Sequence, residues 1–118
     1  MLFRVDPASS VPLGDQIASC VRGALADGSA APGERLPAAR ELADSLGVNV
    51  HTVLRGYQRL REEGLIELRR GRGAVIVPGA RTPDRAHLVE GLRALVADAR
   101  RLGLTDEEFL DLARAGLG

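Results

Sequence analysis

Residues Glu67–Pro78 read ELRRGRGAVIVP, with three arginines and two glycines set directly before an apolar run. Such a stretch is either a loop that cradles a phosphate or the basic tip of a hairpin. A phosphate loop follows a strand and opens a helix, whose N-terminal amides and positive dipole end hold the anion. Here LIEL (65–68) alternates as a strand does, but AVIV (74–77) behind the glycines is a second strand. No helix end is available to face a phosphate. There is no Lys-Ser/Thr pair to serve a nucleotide and metal, and no acid about 20 residues on in a βαβ unit. The stretch therefore predicts a hairpin with Arg69, Arg70 and Arg72 about its tip.

What precedes the hairpin gives it a context. Leu13, Ile17, Cys20, Val21, Ala24 and Leu25 share one face at helical spacing, predicting a first helix from about Val11 to Ala26 that Asp27-Gly28 ends. GSAAPGERLP (28–37) reads as a loop, and Pro37 fits the first turn of a second helix. That helix buries Ala39, Leu42, Ala43 and Leu46 and stops at Gly47. Asn49 then caps a third helix, Val50 to about Glu63, with Val53, Tyr57 and Leu60 turned inward. Two helices joined only by GVN form a helix-turn-helix, and its second helix can enter a major groove N-terminus first. The leading end offers Asn49, His51 and Thr52, with Arg55 and Arg59 farther along. A hairpin with arginines at its tip then reads as a wing that can follow a minor groove or a phosphate backbone.

After the wing, GARTPD (79–84) reads as a linker. Leu88, Leu92, Leu95, Val96, Ala99 and Leu102 make an apolar stripe on a further helix, broken at Gly103. Thr105 to Glu108 is a capping box for a last helix that carries Phe109, Leu110, Leu112 and Ala113. The expected fold is mainly α with a small β-hairpin. A winged helix-turn-helix occupies residues 1–78, a linker 79–84 and a two-helix segment 85–118.

Composition narrows the function. Net charge is zero over 118 residues, yet residues 35–81 hold nine Arg against five acids, a net of +4, with −2 on either side. The middle segment favours a polyanion. All sixteen basic residues are Arg, a choice that a GC-rich genome explains as well as bidentate chemistry does. Cys20 is alone, so no disulfide or cysteine metal cluster forms within the chain, and it is expected to pack inside as a small hydrophobe. His51 and His87 stand apart and supply no catalytic or metal constellation. No apolar run reaches the roughly 18 residues of a membrane span. MLFRVDPASS lacks a signal core, which points to the cytoplasm. Nothing here calls for a cofactor or makes an enzyme.

Residues Val11–Val77 closely resemble the DNA-binding domain of the GntR family of bacterial transcription regulators. The carrying motifs are QIA (16–18), PGERLPAARELADSLGV (32–48), TV (52–53), EGLI (63–66) and RRGRG (69–73). NVHTVLRGYQRL (49–60) and a tail of about 40 residues look most like its YtrA-like subfamily. The resemblance implies a homodimer on a palindromic operator, held together by the short helical tail through Leu88, Leu92, Leu95, Val96, Leu102 and Phe109. It also implies DNA contacts from Arg40 in the second helix, from Asn49, His51 and Thr52 at the start of the third, and from Arg72 and Gly73 at the wing tip. Arg55 and Arg70 join them by position. The tail leaves no room for a fused pyridoxal-phosphate domain, and it is too short to enclose a typical metabolite pocket, so no effector is named.

Three departures stand out. Ala38 replaces a frequent Ser and loses its cap with Glu41, Val50 stands where Pro or Arg is common, and Ala74 replaces a frequent Thr. The expected function is repression of an operon, by analogy the chain's own with a transporter. The competing reading, a winged helix for protein recognition without DNA readout, requires an apolar patch on the third helix.

Overall fold

Ile17, Val21, Ala24 and Leu25 form the buried face of helix α1 (Leu13–Asp27) in the computed structural model, which describes all 118 residues. Helices α2 (Ala39–Leu46) and α3 (Val50–Glu62) bring Leu42, Ala43, Val53, Tyr57 and Leu60 to the same core. Strands β1 (Ile66–Arg69) and β2 (Gly73–Ile76) pair antiparallel, with Ile66 opposite Ile76 and Arg69 opposite Gly73. Leu65, Ile66, Ala74 and Ile76 close the core from the sheet side. Helices α4 (Thr82–Arg101) and α5 (Asp106–Leu117) complete the chain. The expected class, mainly helical with one small hairpin, is the observed one.

Several local expectations change. Helix α2 begins at Ala39 with Ala38 as an N-cap that makes no side-chain bond, so Pro37 lies outside the helix, not in its first turn. The Tyr57 hydroxyl donates to the Pro37 carbonyl at 2.7 Å, which anchors the entry to α2 on α3. Burial pushes the Tyr57 phenol well above its ordinary value, so it remains a donor. Residues 33–36, expected as plain loop, add a β-bridge between Arg35 and Val75. Leu36 N–H donates to Ala74 at 2.9 Å and Ile76 N–H to Glu34 at 2.8 Å, so β2 is hydrogen-bonded on both edges. Cys20 is half-buried, with its thiol 3.4 Å from the Arg4 carbonyl under the N-terminal segment. Gln16 fastens that segment, accepting from Asp6 N–H at 2.7 Å and donating to the Asp6 and Val11 carbonyls.

Two features fix α3 against α1. Midway along α3 the two helices cross almost backbone to backbone: a Cβ added at Gly56 would sit 2.7 Å from the Gly14 carbonyl oxygen. At its trailing end the wholly buried Arg22 of α1 donates to both carboxylate oxygens of Glu63, at 2.8 and 3.3 Å. Helix α4 is tied in at the same place. Arg22 lies 3.6 Å from Glu90, and Arg85 Nε donates to the Glu63 carbonyl at 2.7 Å. Helix α4 starts at Thr82, inside the stretch expected to be linker, because the buried Thr82 hydroxyl donates to the Val77 carbonyl at 2.9 Å. Ala86 joins the main core. No helix is long and apolar enough to cross a membrane.

Gly56→Ala is expected to lower stability by about 2 kcal/mol, since neither backbone can retreat from the overpacked crossing. Denaturant midpoints measure this, and a neutral result would show that the crossing is loose. Arg22→Ala, which leaves the Glu63 carboxylate without its main partner, is expected to cost about 3–5 kcal/mol in the same assay. A change below about 1 kcal/mol would mean the pair contributes little net stability.

Candidate nucleic-acid interface

The start of α3 is built by its cap. Asn49 is extended (φ −70°, ψ 141°) and its side-chain oxygen accepts from His51 N–H at 2.8 Å. That bond occupies the amide oxygen and leaves the amide NH2 group as an outward donor. His51 is exposed, whereas Thr52 is half-buried beside α1. Val50 packs against the core, so no readout group stands there.

Two hollows flank the outer face of α3. One, of about 580 Å³, lies between α3 and β1, with His51, Leu54, Arg55, Gln58, Arg61 and Leu68 along its walls. The other runs between α3 and the start of α1, where Thr52 and Arg55 face Pro12, Gly14 and Asp15. Arg55 therefore stands on the ridge shared by both. Leu54, Gln58 and Arg61 are lining residues that the motifs of the sequence do not single out. They recur with His51 at three-to-four-residue spacing, the signal of an exposed helix face.

At the wing, Arg72 N–H donates to the Arg69 carbonyl at 3.0 Å, closing a four-residue turn. Gly71, third in that turn, has φ 78°, the conformation a type II turn requires there. Gly73 has φ 72° and nothing within 4 Å of an added Cβ, so its outer side is open. Arg70 and Arg72 are exposed at the tip.

The ion pairs sort the arginines. Arg59 lies 3.7 Å from Asp15, and Arg69 lies 2.6 Å from Glu67 on the same strand. Arg40, Arg55, Arg61, Arg70 and Arg72 make no ion pair and no side-chain hydrogen bond, and all are exposed. The structure brings His51 and Arg55 to one hollow and Thr52 and Arg55 to the other, and sets Arg70 and Arg72 together on the wing. Arg40 stands apart in the first turn of α2 and lines neither hollow.

The C-terminal pair of helices has an open apolar face. Leu88, Leu92, Leu95 and Leu102 are exposed, from 51 % for Leu92 to 80 % for Leu102. Val96 and Phe109 are half-buried and line an apolar hollow of about 420 Å³ between α4 and α5 with Leu104 and Leu110. Helix α5 buries none of its residues. Its start is firm, with Thr105 and Glu108 making the expected reciprocal capping bonds at 3.0 and 3.1 Å. The hydrogen bonds from Thr105 hold the Glu108 carboxyl below its ordinary value, so the cap weakens only as pH falls through that lowered value.

No group of His, Cys, Asp or Glu side chains is placed to hold a metal ion. A helix-turn-helix with a wing of unpaired arginines is an arrangement for holding a duplex. Comparison with known proteins agrees. The profile of the bacterial regulatory proteins, gntR family, matches residues 13–76. The HTH-type transcriptional repressor YtrA of Bacillus subtilis is 36 % identical over 116 residues, covering 92 % of this chain and 86 % of that protein. The structure of YtrA from Sulfolobus acidocaldarius, a GntR-family transcription factor, superposes with a TM-score of 0.62 at 34 % identity, covering 81 % of this chain and 99 % of that one. AraR(DBD), solved in complex with operator, gives a TM-score of 0.55 at 26 % identity over 64 % of this chain and 93 % of that one. Fold, motif order and these likenesses converge: the chain belongs to the GntR family of DNA-binding bacterial transcription regulators, and not to a family of enzymes.

Proposed function

We propose that the protein is a homodimeric repressor that binds an inverted-repeat operator, acts in the cytoplasm and takes its own operon, with a transporter, as the expected target. One observation carries the DNA-binding part. Arg55 and Arg61 on the outer face of α3 and Arg70 and Arg72 at the wing tip are exposed and have no acidic partner, while Arg59 and Arg69 are neutralised within the fold. The start of α3 reads base edges through the Asn49 amide, His51 and Thr52, with Arg55 between base and backbone. Arg40, Arg70 and Arg72 fix register on phosphates, and Gly73 lets the wing backbone approach closely. The name of the Bacillus relative, a repressor, supports the direction of control.

Leu54 and Leu68 form the apolar patch beside α3 that a protein-recognition reading of that helix requires, as both are exposed there. They lie among His51, Arg55, Gln58 and Arg61, a setting suited to thymine methyl groups between polar contacts. Salt-dependent affinity for duplex DNA separates the two readings, because a protein-recognition surface has none.

The dimer is proposed through α4 and α5. Leu88, Leu92, Leu95, Val96, Leu102 and Phe109 would be covered by the same face of a second copy, since an apolar face of this extent is unusual on a lone helical tail.

Two outcomes test this reading. Arg72→Ala is expected to lower the slope of log affinity against log salt by about 1 on an operator selected from a random duplex pool. An unchanged slope would remove the wing from the interface. Replacing Leu92 and Leu95 by Glu is expected to give monomers by light scattering and to weaken operator binding by about a hundredfold, through lost avidity. A variant that remains dimeric would place the interface elsewhere.

A further inference from the structure

We propose that a charge network joining α4 to the recognition helix sets the half-site spacing that the dimer accepts, with Glu90 and Arg93 as its positioning residues. This inference rests on the dimeric, inverted-repeat reading above.

Helix α4 has two unlike faces. One carries the exposed leucines, and the other lies on α1. Of its side chains only Thr82, Ala86 and Ala99 are buried, and Ala99 lies at the α5 end, lining the hollow there. Small apolar contacts alone would let the helix slide or roll on α1. Charged groups hold it instead. Arg22 of α1 sits between Glu63 at 2.8 Å and Glu90 at 3.6 Å. Arg93 reaches Asp15 at 3.7 Å and Glu63 at 4.0 Å. Asp15 in turn meets Arg59 at 3.7 Å. Three cations alternate with three anions, so the cluster is neutral and each change of partner leaves a charge uncompensated.

The network ends on the recognition helix. Arg59 belongs to α3, and Glu63 is the residue that caps it. Arg85 of α4 donates to the carbonyl of that same residue at 2.7 Å. Arg85, Glu90 and Arg93 thus clamp a nine-residue stretch of α4 to α1 and to the trailing end of α3. The Arg85 hydrogen bond is directional, and the ion pairs of Glu90 and Arg93 hold α4 at two further points along its length, so this clamp defines an angle as well as a contact. In a dimer joined through α4, that angle sets where the second recognition helix falls. One added base pair moves a half-site by about 3.4 Å and turns it by roughly 35°. A rigid clamp rejects such a displacement, and a loosened one tolerates it.

The test uses the full chain with inverted-repeat duplexes whose spacers differ by single base pairs, and with a duplex bearing one half-site. The wild type is expected to prefer one spacer by about tenfold or more over its neighbours, because only that spacing permits both half-sites to engage. The Glu90→Gln/Arg93→Gln variant is expected to remain dimeric by light scattering and to bind the single half-site within about twofold of wild type. Its preference among spacers is expected to shrink to about threefold or less.

A variant that keeps the wild-type spacer profile overturns the proposal. So does one that loses single half-site affinity and spacer selectivity alike, since its role would then be merely to support the fold. Arg93→Gln alone, at a partly exposed position, gives the same reading if the double variant does not fold. A wild type with no spacer preference defeats the inverted-repeat reading itself, and this inference with it.

Discussion

Arg22 lies in α1 with no part of its side chain exposed, and its guanidinium is held by Glu63, Ser19 and Glu90. A buried cation without partners would carry a desolvation penalty of several kcal/mol, so the acids around it are a condition of the fold. Glu63 closes α3 and Glu90 belongs to α4, so one side chain fixes three helices at once. The middle of α3 is fixed by the Gly14–Gly56 crossing, where the absence of two side chains allows the backbones to meet. The recognition helix is therefore located at two points, one by shape and one by charge. Neither point lies on its outer face.

That division leaves the outer face free. Asp15 and Glu67 neutralise Arg59 and Arg69, so the excess positive charge of residues 35–81 falls to the remaining arginines, several of them on the outer face of α3 and the wing tip. The Asn49 cap satisfies the first turn of α3 from within and still presents an amide donor outward. The tip turn, closed between Arg69 and Arg72, holds Arg70 and Arg72 clear of the body. The electrostatic surface results from which charges the fold consumes as much as from which it carries.

Much of this was legible in the sequence because it depends on local periodicity. Val53, Tyr57 and Leu60 mark the inner face of α3, and the Thr105–Glu108 box marks the start of α5; both are observed. What escaped is long-range. Arg22 follows Val21 and reads as an ordinary surface residue, because Glu63, 41 positions away, is invisible to any helical pattern. Arg35 pairs with Val75 over too short a segment to alternate visibly. Pro37 suits a first helical turn by its φ, but the Tyr57 hydroxyl holds its carbonyl just outside the helix. At the candidate interface, Arg55 and the wing arginines stand out in the sequence by charge and position. Arg61 and Gln58 carry no distinguishing signal, because a polar stripe down an exposed helix face has the same spacing as any solvated surface.

The central claim is that a polar helix start and a basic wing, presented twice by a dimer, read one sequence in duplex DNA. Selection from a random duplex pool near physiological salt tests it most directly. The account predicts enrichment of a single inverted repeat with a fixed spacer. Recovery of nothing above background, or of an isolated half-site without its inverted mate, would contradict it.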